Sequence, residues 1–312
     1  MAATPQVIAL GEALAEFMRP EAGIPLDQAG PFEGPFPSGA PAIYADACGR
    51  LGLPTGFIGS VGDDAFGRMF RARLIRDGVD TTLLATDPDR PTGAAFVTYN
   101  VDGGRDFLFH TRYAAAGQPA PFGEEYFASA RLVHIAGSTL ATSPAWHAAC
   151  VRAAHFGKEV GALISFDPNL RPELLGGASV AEVCAPILEL ADLVLPSGAE
   201  LAALTGIREV GGAVQALLDR GVEMVILKEG VHGSTLFTAD GALHVPTTPR
   251  EERDPTGAGD AFAAGVAYAL LNGIAAEPML RLANAIGGLA VTRIGPMEGS
   301  PSLADALAAA GL

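Results

Sequence analysis

Apolar and polar positions change rhythm repeatedly along this chain, and each change marks an element. "PQVIALGEALAEFMR" opens with a strand-like apolar run that ends at Gly11. "AGIPLDQAGPFEGPFPSGAP" follows, so dense in Gly and Pro that it reads as loop or edge strand rather than helix. "AIYADACGRLG" has helical patterning stopped by Gly52, and "TGFIGSVG" is a buried strand. In "DDAFGRMFRARLIRDG" the inward face of an amphipathic helix is Met69, Phe70, Leu74 and Ile75. Its arginines, Arg68, Arg71, Arg73 and Arg76, then form a solvated face.

"GAAFVTYNVDGGRDFLFHTR" breaks the pattern: two β-rich runs flank Asp102-Gly103-Gly104, which is hairpin chemistry. Beyond it, strands alternate with helices. The strands are "ARLVHIAG", "EVGALISFD", "ADLVLPS", "EMVILKEG", "STLFTAD" and "ALHVPT". The helices fall around 146–157, 179–190, 199–205, 212–220, 258–272 and 277–292. Apolar strands alternating with helices predict an α/β fold, a mostly parallel sheet covered by helices. The segments near 17–37 and 92–112 do not share that rhythm and predict a small flap beside a single large unit spanning 1–312.

Composition narrows the class. The 312 residues are 49% hydrophobic, enough for a large core. The net charge of −15 repels nucleic acid and anionic membrane, so any anionic substrate must meet a local cradle. The three cysteines, Cys48, Cys150 and Cys184, form no CxxC pair and read as small core hydrophobes in a reducing compartment. The start "MAATPQVIAL" lacks a basic n-region, and "AFAAGVAYALL" is too short to span a bilayer. The expectation is a soluble, cytoplasmic protein.

"DPTGAGDAFAAG" (254–265) carries the chemistry. Gly257, Ala258 and Gly259 open a helix, where backbone N–H groups lack intrahelical partners and the helix dipole adds positive charge. That is a phosphate cradle. A dinucleotide fingerprint is excluded, because its third small residue would fall at Phe262. No GxxxxGK[ST], GxSxG, HExxH or EF-hand pattern occurs. Asp260, an acid beside a bound phosphate, reads either as a first-turn acid favoured by the dipole or as a general base for a hydroxyl attacking phosphorus.

The stretch "DPTGAGDAFAAGVAYAL" closely resembles the second signature of the ribokinase-like (PfkB-type) carbohydrate kinases. "SGAPAIYADACGRLGLPTGFIGSVGDDAFG" (38–67) is similar to the first signature. "VILKEGVHGS" (225–234) resembles the nucleotide-binding strand and turn. "FDPNLRPELL" (166–175) resembles a segment of fructokinases and 2-keto-3-deoxygluconate kinases. The resemblance implies a doubly wound sheet with a small β lid, ATP with Mg2+, and transfer of the γ-phosphate to a sugar hydroxyl.

Matched by position, the resemblance makes Asp260 the base and Gly257, Ala258 and Gly259 the anion hole. Lys228, Gly230 and Gly233 would lie along ATP, and Asn284 near adenine. Ser197 and Glu200 occupy an Asn-x-x-Glu motif tied to magnesium and phosphate, with Ser197 replacing the asparagine. Asp254 matches a monovalent-cation position, such as one for K+. Glu16, Gly39, Arg112, Asn169 and Arg171 match the sugar pocket. Carboxylate acceptors with amide and guanidinium donors suit a polyol, and a bidentate guanidinium suits a sugar acid.

Two departures bear on the substrate. Ile43 stands where the first signature commonly has an asparagine, and His110-Thr111-Arg112 replaces an aromatic-aromatic-Arg lid, with His110 in an aromatic's place. "GPFPSGAPAI" resembles tagatose-type kinases more softly. The expected substrate is a ketose or a 2-keto-3-deoxy sugar acid. A nucleoside or vitamin kinase of the same fold, and a non-catalytic sugar or nucleotide sensor, are the alternatives. A lid ribbon bearing aromatic residues predicts a homodimer through the lid.

Overall fold

The computed structural model describes residues 4–101, 104–169 and 171–312. In chain order the strands are β1 (Val7–Leu10), β2 (Leu14–Met18), β3 (Glu33–Ser38), β4 (Thr55–Gly62), β5 (Val79–Asp80), β6 (Leu84–Asp87) and β7 (Gly93–Tyr99). They continue with β8 (Arg105–His110), β9 (Leu132–Ala136), β10 (Leu163–Asp167), β11 (Leu193–Val194), β12 (Met224–Lys228), β13 (Ser234–Thr238) and β14 (Gly241–Val245). Among the described residues the main sheet runs β14-β13-β12-β11-β10-β9-β1-β4-β5, with β6 also on β4. It is parallel from β12 to β5, and β13 and β14 extend it antiparallel. A second sheet is ordered β3-β2-β7-β8.

Both faces of the main sheet are covered, which is why its strands read as unbroken apolar runs. Along β1, Val7 and Ala9 enter one apolar layer with the helices Ala40–Arg50, Ala258–Leu271 and Ala276–Ala290. Ile8 and Leu10 enter the other, against Trp146 of Pro144–Glu159, Ile187 of Val180–Leu188 and Leu217 of Val210–Leu218. The period-2 alternation of a strand thus divides one four-residue run between two cores. The three cysteines are buried and free. No single helix among the described residues is long and apolar enough to cross a membrane.

Local signals place the helices. Asp64 caps Ala65–Arg76 by accepting from Gly67 N–H at 2.8 Å, and its other oxygen accepts from Thr92 N–H at 2.8 Å, tying the helix start to the approach to β7. Ser143 caps Pro144–Glu159, with Pro144 in the first turn where its missing N–H is harmless. Helices Gly137–Thr142 and Leu303–Ala310 were not anticipated from the sequence; the first is a single short segment between a strand and a longer helix.

The small sheet is built from strands within 14–38 and 93–110; the segments whose pattern broke with the rest, near 17–37 and 92–112, supply β3, β7 and β8, while β2 begins before the first of them. β7 and β8 pair antiparallel, as a hairpin requires, and Asn100 N–H donates to Gly104 C=O at 2.8 Å. The tip residues Asp102 and Gly103 lie outside the described residues.

The arginine face of Ala65–Arg76 needs correcting. Ile75 is 58% exposed, whereas Arg73 is 7% exposed. Its guanidinium donates to Asp46 Oδ1 at 2.9 Å, Glu298 Oε1 at 2.8 Å and the Met297 carbonyl at 2.7 Å, and pairs with Asp77 at 2.6 Å. A buried cation with its donors used this way fixes the segment around 297 against two helices. Arg73→Ala would strand the buried Asp46, while Asp77 keeps Arg76 at 2.9 Å, and would lower unfolding free energy by about 3–5 kcal/mol, read from urea denaturation. Arg68→Ala, at a solvated position, would change it by less than about 0.5 kcal/mol.

Candidate active site

A helix starts where the glycines predict, with Ala258 N–H donating to the Pro255 carbonyl at 3.3 Å. Gly257 is left-handed (φ 81°) at the N-cap of Ala258–Leu271. A Cβ there would collide with the Pro296 carbonyl oxygen, so only glycine fits. Asp260 lies in the first turn and is 5% exposed. Burial, and then the Asp167 charge, push its pKa up to about 8, against the opposing pull of Lys228 and Arg171.

Strand ends deliver the partners. At the C-terminal ends of β10 and β12, Lys228 Nζ donates to Asp167 Oδ2 at 2.6 Å. Burial opposes the lysine's charge, but Asp167 and Glu200 beside it hold its pKa above the ordinary value. Asn169 N–H donates to Asp167 Oδ1 at 3.1 Å, and Asn169 Nδ2 donates to Asp260 Oδ1 at 3.1 Å. Asn169 reaches both by adopting φ 35°, a left-handed conformation that asparagine tolerates better than most residues. Ligand sites at the carboxyl ends of parallel strands are what an open α/β sheet offers.

Two cavities meet at this point. The first lies between the main and the small sheet, lined by Glu12, Glu16, Gly39, Asn169, Arg171 and Asp260 among others. The second is a more apolar cleft past Gly230, Gly233, Phe262, Asn284 and Gly287. Lys228, Pro255 and Gly259 line both. A molecule in each would therefore meet at the cradle.

In the first cavity Ser38 Oγ donates to Glu16 Oε2 at 2.5 Å, while Glu16 Oε1 is buried without a partner among the described residues. Burial pushes Glu16 up to about 7. Glu12 accepts from Ser138 Oγ and Thr139 Oγ1, each at 2.7 Å. Gly39, at φ 109°, N-caps Ala40–Arg50 where a Cβ would strike the Glu12 carbonyl. Ile43 lines this cavity and offers it no side-chain hydrogen bond. In the cleft, Asn284 Nδ2 donates to the Val245 carbonyl at 2.9 Å. Ser197 pairs with Lys228 across an isolated bridge, and its N–H donates to Glu200 Oε2 at 2.7 Å; both residues line the first cavity. Asp254 is buried and accepts from backbone and phenol donors.

Two residues are not where the resemblance put them. Alternation along β8 turns Arg105, Phe107 and Phe109 toward the cavity and Asp106, Leu108 and His110 away. His110 meets the edge of Phe96 at 5.9 Å, and exposed Arg112 sits 5.6 Å from the Tyr113 ring centre. Neither lines the cavity. The guanidinium facing it from β8 is Arg105, 5.7 Å from the Phe107 ring centre, with Arg171 5.2 Å from the same ring. Arg105, Phe107 and Glu12 were missed in the sequence. The alternation of "RDFLFH" could have found Arg105, which shares its face with Phe107 and Phe109 and opposes His110; Arg112 lies past the strand's end, in a turn.

A helix-start cradle, a buried carboxylate beside it, and two cavities converging on both define a phosphotransferase acting on a small hydroxyl compound. Residues 5–303 match the pfkB family carbohydrate kinase, and the chain belongs to that family. Fructokinase-1 of Oryza sativa subsp. japonica is 34% identical over 96% of this chain and 96% of its own. A candidate Ribokinase II from E.coli, solved in complex with ATP and Mg2+, superposes with a TM-score of 0.91 at 40% identity, over 98% of each chain. Fructokinase from Vibrio cholerae O395, bound to fructose, ADP and calcium, superposes at 0.81 with 29% identity over 98% of each chain. The protein is an ATP-dependent sugar kinase of this family.

Arg105→Ala should raise the KM for the sugar about 10-fold or more, by removing a charged donor from the cavity. His110→Ala and Arg112→Ala should leave it within about 2-fold. Steady-state kinetics on the three variants check this.

Proposed function

We propose that the acceptor is a ketose of the fructose or tagatose type or a 2-keto-3-deoxy sugar acid, bound between the two sheets, with Asp260 as general base. The observation that carries this is Glu16, which lines the same cavity as Asp260 and whose buried Oε1 has no hydrogen-bond partner among the described residues. A buried acceptor without a donor is costly, and a sugar hydroxyl would supply one. Arg105 and Arg171 add donors suited to hydroxyls or a carboxylate. The fructokinase relatives support a ketose.

The sugar binds with Glu16, Arg105, Asn169 and Arg171 among its polar contacts. The small sheet acts as a lid, covering the sugar and excluding water, which would otherwise compete as acceptor. Asp260 accepts the proton of the attacking hydroxyl. Asn169 holds its Oδ1, which leaves Oδ2 for the substrate. The N–H groups of Gly257, Ala258 and Gly259 stabilise charge on the transferring phosphoryl, and Lys228 lies between the cavities to meet the phosphates. Glu200, which lines the first cavity, would help hold a Mg2+ ion, whose contribution would be to neutralise phosphate charge. The lid's outward side leaves Leu108 47% and Tyr113 82% exposed, and among the described residues its edge strand β8 pairs with β7 alone, leaving its other edge open, which supports a homodimer formed there.

An assay of ADP release and sugar phosphate over D-fructose, D-tagatose, 2-keto-3-deoxygluconate and D-ribose tests the substrate. Turnover of D-ribose alone would sink this reading. Asp260→Asn should lower kcat by about 10²–10⁴-fold. The base acts ionised, and its pKa is raised to about 8, so kcat/KM should climb with pH through that value and fall away below it. The residual activity of Asp260→Asn should lack that limb.

A further inference from the structure

Tyr99 closes β7, and its side chain crosses from the small sheet to the phosphate cradle. The phenol O–H donates to Asp254 Oδ1 at 2.5 Å and lies 3.0 Å from Thr256 Oγ1. Asp254 is 1% exposed and starts the cradle loop. Its Oδ1 also accepts from Thr256 N–H at 2.9 Å, and Oδ2 accepts from Gly295 N–H at 2.8 Å. One carboxylate therefore joins three segments: the small sheet, the cradle loop, and the stretch whose Pro296 carbonyl abuts Gly257.

The bond has leverage over the sugar cavity. Across the hairpin Tyr99 pairs with Arg105, which lines the cavity together with Phe107 from the same strand. Fixing Tyr99 against Asp254 therefore fixes the height of that edge above Asp260. The phenol stays a donor, because burial and then the Asp254 charge raise its pKa. Asp254 would keep two backbone donors without Tyr99, so the cradle itself does not need the phenol. The small sheet does, since this bond ties its β7 end to the cradle loop.

We propose that Tyr99 is a positioning residue, which sets the closed position of the small sheet over the sugar through its hydrogen bond to Asp254. This rests on reading that sheet as the lid of a sugar site.

Tyr99→Phe removes one oxygen and tests it in the full-length protein. Amide hydrogen exchange across β7 and β8 should speed up about 10-fold in the ligand-free variant, with a melting temperature within about 2 °C of wild type. On the panel sugar that wild type phosphorylates, KM for the sugar should rise about 10-fold while KM for ATP stays within about 2-fold. ADP released without sugar phosphate should rise several-fold, because a looser lid admits water. Unchanged exchange together with an unchanged sugar KM would overturn the proposal. So would a fall in kcat alone, with both KM values and the ADP-to-product ratio intact. If wild type phosphorylates no sugar on the panel, the substrate reading fails, and the exchange comparison still decides the role of Tyr99.

Discussion

The site depends on keeping one carboxylate usable where charge is costly. Asp260 is 5% exposed, beside Asp167 and with Glu12 adding to the negative field, and both neighbours favour its protonated form. Lys228, Arg171 and the open N-terminus of Ala258–Leu271 favour the ionised form. The balance leaves the pKa near the range in which a base both holds its charge and accepts a proton. Bulk water would remove the tuning, and a purely apolar pocket would keep the acid neutral. The two sheets make the intermediate environment: one supplies strand-end polar groups, the other covers them.

Asn169 shows how the backbone enters this balance. Strand β10 ends at Asp167, and two residues later the chain turns through a left-handed conformation. That turn aims one side chain at Asp260 and its own N–H at Asp167. The two acids are thus separated by donors, so their repulsion does not have to be relieved by moving either away. Lys228, from the adjacent part of the sheet, takes the far oxygen of Asp167. The cradle is braced in the same way from its other side, where Asp254 gathers N–H groups from two loops and Arg73 anchors the segment next to them at Met297.

Much of the fold was legible because strands buried on both faces leave apolar runs that few other elements produce. The cradle was legible because a left-handed N-cap and close approach to Pro296 both demand glycine at 257. Legibility failed where the answer depended on phase rather than content. His110 and Arg112 have the right chemistry for a sugar pocket, but His110 stands on the outward side of β8 and Arg112 lies in the turn beyond it, exposed beside Tyr113. Arg73 belongs to a run of arginines with identical local character, and only tertiary contact with Asp46 and Glu298 distinguishes it. Tyr99 was invisible for a third reason. Its partner is 155 positions away in the sequence, and no local pattern encodes a bond across that distance.

The acidity of the chain takes on meaning at this site. A net charge of −15 disfavours a nucleotide triphosphate everywhere on average. Of the cations that could offset this, Lys228 lies where the cavities meet, Arg105 and Arg171 stand over Phe107 in the first cavity, and Arg250 lines the cleft. The first three cations stand beside the acids Glu12, Glu16, Asp167, Glu200 and Asp260, and burial pushes Glu12, Glu16, Asp167 and Asp260 toward their neutral forms. On the proposed reading, the oriented N–H groups of the helix start would hold the phosphate together with these cations. Dipoles of that kind select geometry, because they act only along the direction in which they point. An anion that lies across the cradle toward Asp260 gains their full effect, and one elsewhere on this acidic surface meets repulsion. With Asp260 as the proposed base, the negative field and the local cradle would act together: the first discourages loose association, and the second rewards the one pose in which a hydroxyl and a phosphoryl group share Asp260.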